Sequence, residues 1–269
     1  VPITTMDSLV AGLTAGQKFG FVKASVTAVA GSLYSLWRST GQPAQGAIPG
    51  AAAIPTDALL GAFTEGYVNP TSPALGYLAQ MSVCASSAET FSFYDRLSHM
   101  GGLNGTLTTA QTVSCTLPST RGGTAGNGYS ESVEWFLECY TATGATSVTA
   151  TITYTNEAGT GSRTTTVTVP ANWPASRLLV ILPASGDKWI RSVESVQLSA
   201  TTGTAGSFGV TAGRRLADVA IPVANIGQVA NFLPLGLPQI FDDACLWGVV
   251  QCTTTSTGQI NGTFTIARQ

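Results

Sequence analysis

Between Ser132 and Thr155 polar and apolar positions alternate in two runs. In the first, Val133, Trp135, Leu137 and Cys139 alternate with Ser132, Glu134 and Glu138, while Phe136 and Tyr140 interrupt the polar side. In the second, after Thr143-Gly144, Val148, Ala150, Ile152 and Tyr154 alternate with Thr149, Thr151, Thr153 and Thr155. Successive side chains on a strand point to opposite faces, so a period of two gives each run one apolar and one polar face. Thr and Val, stiff at χ1, suit a pleated surface. The pattern predicts a half-buried antiparallel hairpin, and the stretch from Tyr129 to Leu198 sets the fold class for the chain.

The remainder follows in order. Thr4 or Thr5 can cap a short helix with Asp7 in its first turn, and Gly16 can stop it. Met6, Leu9, Val10 and Leu13 fall at helical spacing and form one apolar stripe, which either docks on a partner or packs on the helix's own domain. Phe19 to Thr27 and Leu33 to Arg38 read as strands. Ser39 to Pro73 holds Pro43, Pro49, Pro55, Pro70 and Pro73 among Ala and Gly, a composition that lies extended. Residues 1 to 75 therefore read as an N-terminal arm and 76 to 269 as a β-sandwich. Tyr77 to Cys84 alternates, and Glu89 to Leu97 reads as its partner. Ser98 to Gly102 reads as a turn-like loop carrying His99. Further strands are expected at Thr112–Leu117, Arg163–Val169, Leu178–Leu182, Glu194–Thr201, Ser207–Thr211, Cys245–Gln251 and Ile260–Ile266. About ten strands with turn signals between them suit an all-β, jelly-roll-like antiparallel β-sandwich.

Composition narrows the function. Only 10% of the 269 residues are charged, against about a quarter in ordinary globular domains. A surface that docks into an assembly can dispense with charge; a free monomer usually carries more. The net charge is −2, with Arg214-Arg215 the one adjacent basic pair, so no basic stripe invites nucleic acid. No apolar run is long enough to span a bilayer, and Val1 to Asp7 lacks the basic start and apolar core of a signal peptide. The expected partners are other protein chains, including copies of this one.

Candidate chemistry is sparse. A Ser-His-Asp relay would have to use His99, the one histidine, and no Gly-x-Ser-x-Gly elbow occurs. Glu134 and Glu138 share one strand face roughly 13–14 Å apart, too far for a glycosidase pair. Asp242-Asp243 lacks the spaced oxygen ligands of a calcium loop. Gly101-Gly102 and Gly122-Gly123 are not followed by Lys-Ser or Lys-Thr. The five cysteines are odd in number and contain no C-x-x-C, and Cys139 reads as a buried small hydrophobe. No catalytic residue, metal or cofactor is expected. Trp37, Trp173, Trp189 and Tyr129 could instead form a carbohydrate platform, the basis of an alternative reading as a glycan-binding adhesin.

Three stretches together carry a resemblance: Tyr-Asp-Arg-Leu-Ser-His-Met-Gly-Gly-Leu-Asn-Gly from Tyr94 to Gly105, Tyr-Thr-Asn-Glu-Ala-Gly from Tyr154 to Gly159, and Gly186 to Gly209. They resemble tailed-bacteriophage virion structural proteins of the minor capsid or head-decoration kind. The resemblance implies a β-rich protein of the virion, with no enzymatic activity. Its implied partners are the major capsid protein or other virion proteins, and a homo-oligomer such as a trimer.

Overall fold

Among the described residues every strand pairing is antiparallel, and the strands divide among a closed barrel and two sheets that flank it. The computed structural model describes residues 3–68, 75–121 and 132–269. One helix of three turns or fewer, α1 (Met6–Thr14), precedes β1 (Gln17–Lys23), β2 (Leu33–Ser35) and β3 (Gly41–Gln42). Then come β4 (Gly76–Ala85), β5 (Glu89–Leu103), β6 (Gln111–Thr116), β7 (Val133–Thr141), β8 (Val148–Asn156) and β9 (Arg163–Val169). After β10 (Arg177–Ile181), β11 (Ile190–Leu198), β12 (Ser207–Ile221) and β13 (Gln228–Asn231) the four-residue helix α2 (Phe232–Leu235) intervenes. β14 (Gln239–Ile240), β15 (Leu246–Cys252) and β16 (Ile260–Arg268) complete the order. The fold is all-β with a short N-terminal helix, in sheets that pack face to face as in a β-sandwich.

The barrel runs β10-β2-β15-β5-β12-β7 and closes on itself. One flanking sheet, ordered β13-β4-β16-β1-β3 with β14 also on β4, draws on both ends of the chain. Phe21, Met81, Val83, Phe264 and Ile266 from that sheet pack against Phe91, Phe93, Leu246 and Val250 from the barrel. The other sheet, β6-β11-β8-β9, presents Val113, Cys115, Ala150, Ile152, Val193 and Val196 to Trp135, Leu137, Cys139, Phe208 and Val210. The long strands β5 and β12 reach both layers, pairing from Leu103↔Phe208 to Glu89↔Ile221 through three register shifts. At Gly209 the backbones come so close that a Cβ would stand 1.7 Å from the Met100 carbonyl oxygen, so only glycine fits.

Several expectations need correction. β7 and β8, expected to form a hairpin, do not pair: β7 joins the barrel between β10 and β12, and β8 lies in the flanking sheet between β9 and β11. β4 and β5 likewise part into different layers. The physical reason is shared: each connection carries the chain from one sheet to the sheet facing it, so strands adjacent in sequence face each other across a core. Tyr129, at the start of the stretch used to define the hairpin, lies outside the described residues, as do Glu131, Gly122-Gly123, Pro70 and Pro73. Ser98 to Gly102, expected as a loop, lies within β5, because Met100 and His99 pair with Val210 and Thr211.

The described part of residues 1–75, read as an arm, is woven into the fold. β1 lies between β16 and β3, and β2 closes the barrel between β10 and β15. Tyr34, Leu36, Trp37 and Phe63 from this segment are all buried. Lys23, fully buried, donates from Nζ to the carbonyls of Ser39 (3.3 Å), Pro43 (2.8 Å) and Ala44 (3.3 Å). Three acceptors match the three donors of an ammonium, which fastens the Pro-rich segment to β1.

Candidate functional site

The face of β7 that alternation marks as polar is the interior of the barrel. Glu138 enters it from β7 and Arg96 from β5, with Nη2 of Arg96 donating to Oε2 of Glu138 at 2.6 Å. Arg96 also donates to the Tyr140 hydroxyl at 3.0 Å, to the Thr211 hydroxyl at 3.0 Å and, through Nε, to Nδ1 of His99 at 3.0 Å. Tyr140 and Thr211 each donate to the same Glu138 oxygen, at 3.1 and 2.6 Å. The guanidinium carbon lies 4.6 Å from the Trp37 ring centroid and 4.7 Å from that of Trp247. Both aromatic faces attract the cation. The network is satisfied on one side of each charge: Oε1 of Glu138 and Nη1 of Arg96 have no hydrogen-bond partner among the described residues.

The electrostatics of this cluster are those of a locked structural core. Burial, then the Arg96 charge, drives His99 down to about 2, so the imidazole is neutral and its Nδ1 is an acceptor. Burial works against the Arg96 charge, but Glu138 beside it more than compensates and pushes its pKa up. Burial and then Glu138 push Tyr140 up, holding its proton. A general base needs a pKa near the working pH and reach to a substrate proton; His99 has neither, being 4% exposed. The expected loop histidine bonded to backbone is thus a strand histidine bonded to an arginine side chain.

The other carboxylates are similarly engaged. Asp95, fully buried, accepts from Arg121 Nη1 at 3.2 Å and from the Cys245 N–H at 3.1 Å. Arg121 also donates to the carbonyls of Asp243 and Pro55, joining three segments. Glu134 accepts the Tyr94 hydroxyl at 2.9 Å and a forked pair from Arg215 at 2.8 and 3.0 Å. Glu134 and Glu138 therefore work in separate ion pairs. Among the described residues no group of three or more His, Cys, Asp or Glu gathers where an ion could be held. The five cysteines are free, and Cys139 is buried. Trp37, Trp173 and Trp189 are buried at three different places, so they form no exposed platform; Tyr129 lies outside the described residues.

What remains is the surface. The Thr5 hydroxyl accepts from the Ser8 N–H at 3.1 Å, and Ser8 returns a bond to Thr5, fixing the start of α1. Gly12 lets the helix lie on β16, where a Cβ would stand 2.9 Å from the Arg268 carbonyl oxygen. The four-residue stripe divides. Leu9 turns inward to Ala79 and Ala267 and is 3% exposed, whereas Met6 (60%), Val10 (58%) and Leu13 face solvent. Val22 of β1, Val229 of β13 and Leu233 of α2 are also exposed. The outer face of the same sheet holds a shallow concavity of about 630 Å³, lined in part by Gly20, Val22, Ser82, Cys84, Asn261 and Thr263, none of them charged. Sequence reading missed this face, because its residues come from β1, β4 and β16, far apart in the chain. Among the described residues no helix is long and apolar enough to cross a membrane.

No protein-family model and no curated protein matches the chain. Among solved structures, the infectious bursal disease virus VP2 subviral particle aligns at a TM-score of 0.19 and 10% identity, over 94% of this chain and 80% of that one. The structure of the Gt strain of the same virus aligns at 0.16 and 12%, over 94% and 81%. Likeness this slight carries no argument about what the chain does.

Proposed function

We propose that the chain is a structural protein of a bacteriophage virion, of the minor capsid or decoration kind, stabilising a shell by protein–protein contact. One observation carries this reading: charge is sparse along the whole chain, part of it is buried, and apolar side chains stand out of the surface. Among the described residues seven charged side chains are buried, namely Lys23, Glu89, Asp95, Arg96, Arg121, Glu138 and Arg214. Met6, Val10 and Leu13 on α1 and Leu233 on α2 stand exposed. Apolar patches on a soluble protein mark surfaces that meet a partner. The partners are the major capsid protein, other virion proteins or further copies, and the chain acts without catalysis or cofactor. The resemblance of Tyr94 to Gly105 and the two later stretches to virion proteins points the same way. Mixing purified protein with shells stripped of it tests the reading. Saturable addition to the shells supports it; a monomer that leaves the shells bare overturns it.

A further inference from the structure

We infer that β9 is a pairing edge for a second copy of this chain, the two β9 strands running antiparallel about a two-fold axis. An edge strand offers unpaired N–H and C=O groups to any other chain, and proteins blunt such edges with short strands, bulges, proline, charge or a cover. The barrel closes and has no edge. In the first flanking sheet the edge strands β3, β13 and β14 are two, four and two residues long, and Pro43 follows β3 directly. In the second, β6 carries a bulge: Val113 and Ser114 stand opposite Glu194 alone, Ser114 adopts φ 54°, and Pro118 follows. Pro170 follows β9 directly, as Pro43 follows β3, but β9 itself holds no proline, is not bulged and is longer than the other edge strands. Its seven residues pair with β8 without a register shift, from Val148↔Val169 to Tyr154↔Arg163. Among the described residues no strand pairs with its other edge. Its sequence, Arg-Thr-Thr-Thr-Val-Thr-Val, is almost wholly β-branched, and its one charge is at the end, where Arg163 is held by Asp187 at 2.9 Å.

The pattern suits itself. An antiparallel pair centred on Thr166 sets Thr164 opposite Thr168, Thr165 opposite Val167 and Arg163 opposite Val169. Like faces meet: the exposed Thr164, Thr166 and Thr168 continue the hydroxyl row of Thr149, Thr151 and Thr153 on β8. The half-buried Val167 gains a neighbour on the core side. No like charges stand opposite each other, so nothing opposes the pairing. Four strands become a sheet of eight across two copies.

The test places charge at the two-fold without touching the core. In T164K/T166K/T168K three lysine pairs would face each other across the axis, and T164E/T166E/T168E does the same with acid. Opposed like charges cost up to about fivefold per pair, so self-association should weaken on the order of a hundredfold in either variant. An equimolar mixture of the two should restore it. Sedimentation equilibrium over a range of protein concentrations reads all four samples, with thermal unfolding to confirm that each remains folded. The inference rests on the building-block reading, and the outcomes separate the two. Wild-type association left unchanged in both variants overturns the β9 contact and leaves that reading standing. A wild-type chain that neither self-associates nor adds to shells overturns both.

Discussion

Arg96 and Glu138 meet at 2.6 Å inside the barrel, where solvent reaches neither side chain. The two come from strands that pair not with each other but with β12 between them. Removing one partner of a buried ion pair strands the other charge, at about 3–5 kcal/mol. Glu138→Ala should therefore lower the urea-unfolding free energy by about that amount. Replacing both, as Arg96→Met with Glu138→Leu, should cost less than the single change, because no charge is then left buried. A Glu138→Ala loss below about 1 kcal/mol would mean that the pair contributes little.

The barrel network also governs acid stability. His99 is held at about 2 in the fold against an ordinary 6.5, so it contributes stability that is present above 6.5 and lost as pH falls toward 2. Glu89 behaves in the opposite sense. Both of its carboxylate oxygens are buried without a partner among the described residues, and burial pushes it up to about 8 from 4.5. Its contribution is present below 4.5 and lost as pH rises through 8. The two slopes, about 1.4 kcal/mol per pH unit each, cancel between 4.5 and 6.5. From these groups the unfolding free energy should plateau there and fall on both sides. Glu89→Gln should flatten the alkaline limb and His99→Asn the acid limb in unfolding curves measured across pH.

On α1 the two sides of the helix should separate in their effects. Leu9→Ala removes a buried side chain and should cost about 2 kcal/mol or more of stability. Met6, Val10 and Leu13 changed together to serine should leave unfolding within roughly 0.5 kcal/mol per site, as exposed positions do. The same triple change should weaken shell association if this stripe is a docking surface. Unfolding curves and a shell-binding assay on both variants settle which residues hold the fold and which meet a partner.

Strand character was legible; the identity of the neighbours was not. The period of two in β8 matches its alternating burial, because one of its faces packs and the other meets solvent. β7 shows the same period, yet both of its faces are buried from Trp135 to Tyr140. The signal was present in Phe136 and Tyr140: large aromatics interrupting a polar face point to a second interior, here one that also contains an ion pair. Pairing was misassigned because alternation is a property of one strand, while partnership depends on which sheet the next turn enters. His99 looked like a loop residue because Gly101-Gly102 follows it, but both glycines lie within β5: a Cβ on Gly101 would stand 2.8 Å from Ile48, and Gly102 takes φ 80° at a register shift. The helix stripe was found by its spacing, but spacing could not tell that Leu9 faces Ala79 and Ala267 while its three neighbours face out.

The account stands or falls on how the chain holds its partners. Few surface charges leave apolar contact and main-chain hydrogen bonding as the means of association, and neither is screened by salt as exposed ion pairs are. The direct measurement is the fraction of protein retained on shells, or in its own oligomers, through washes of rising sodium chloride and, separately, rising urea. Retention through high salt with release in mild urea, which solvates apolar and peptide groups alike, is the predicted result. Release by moderate salt alone, with the β-fold intact by circular dichroism, would contradict the account and point to an ionic interface.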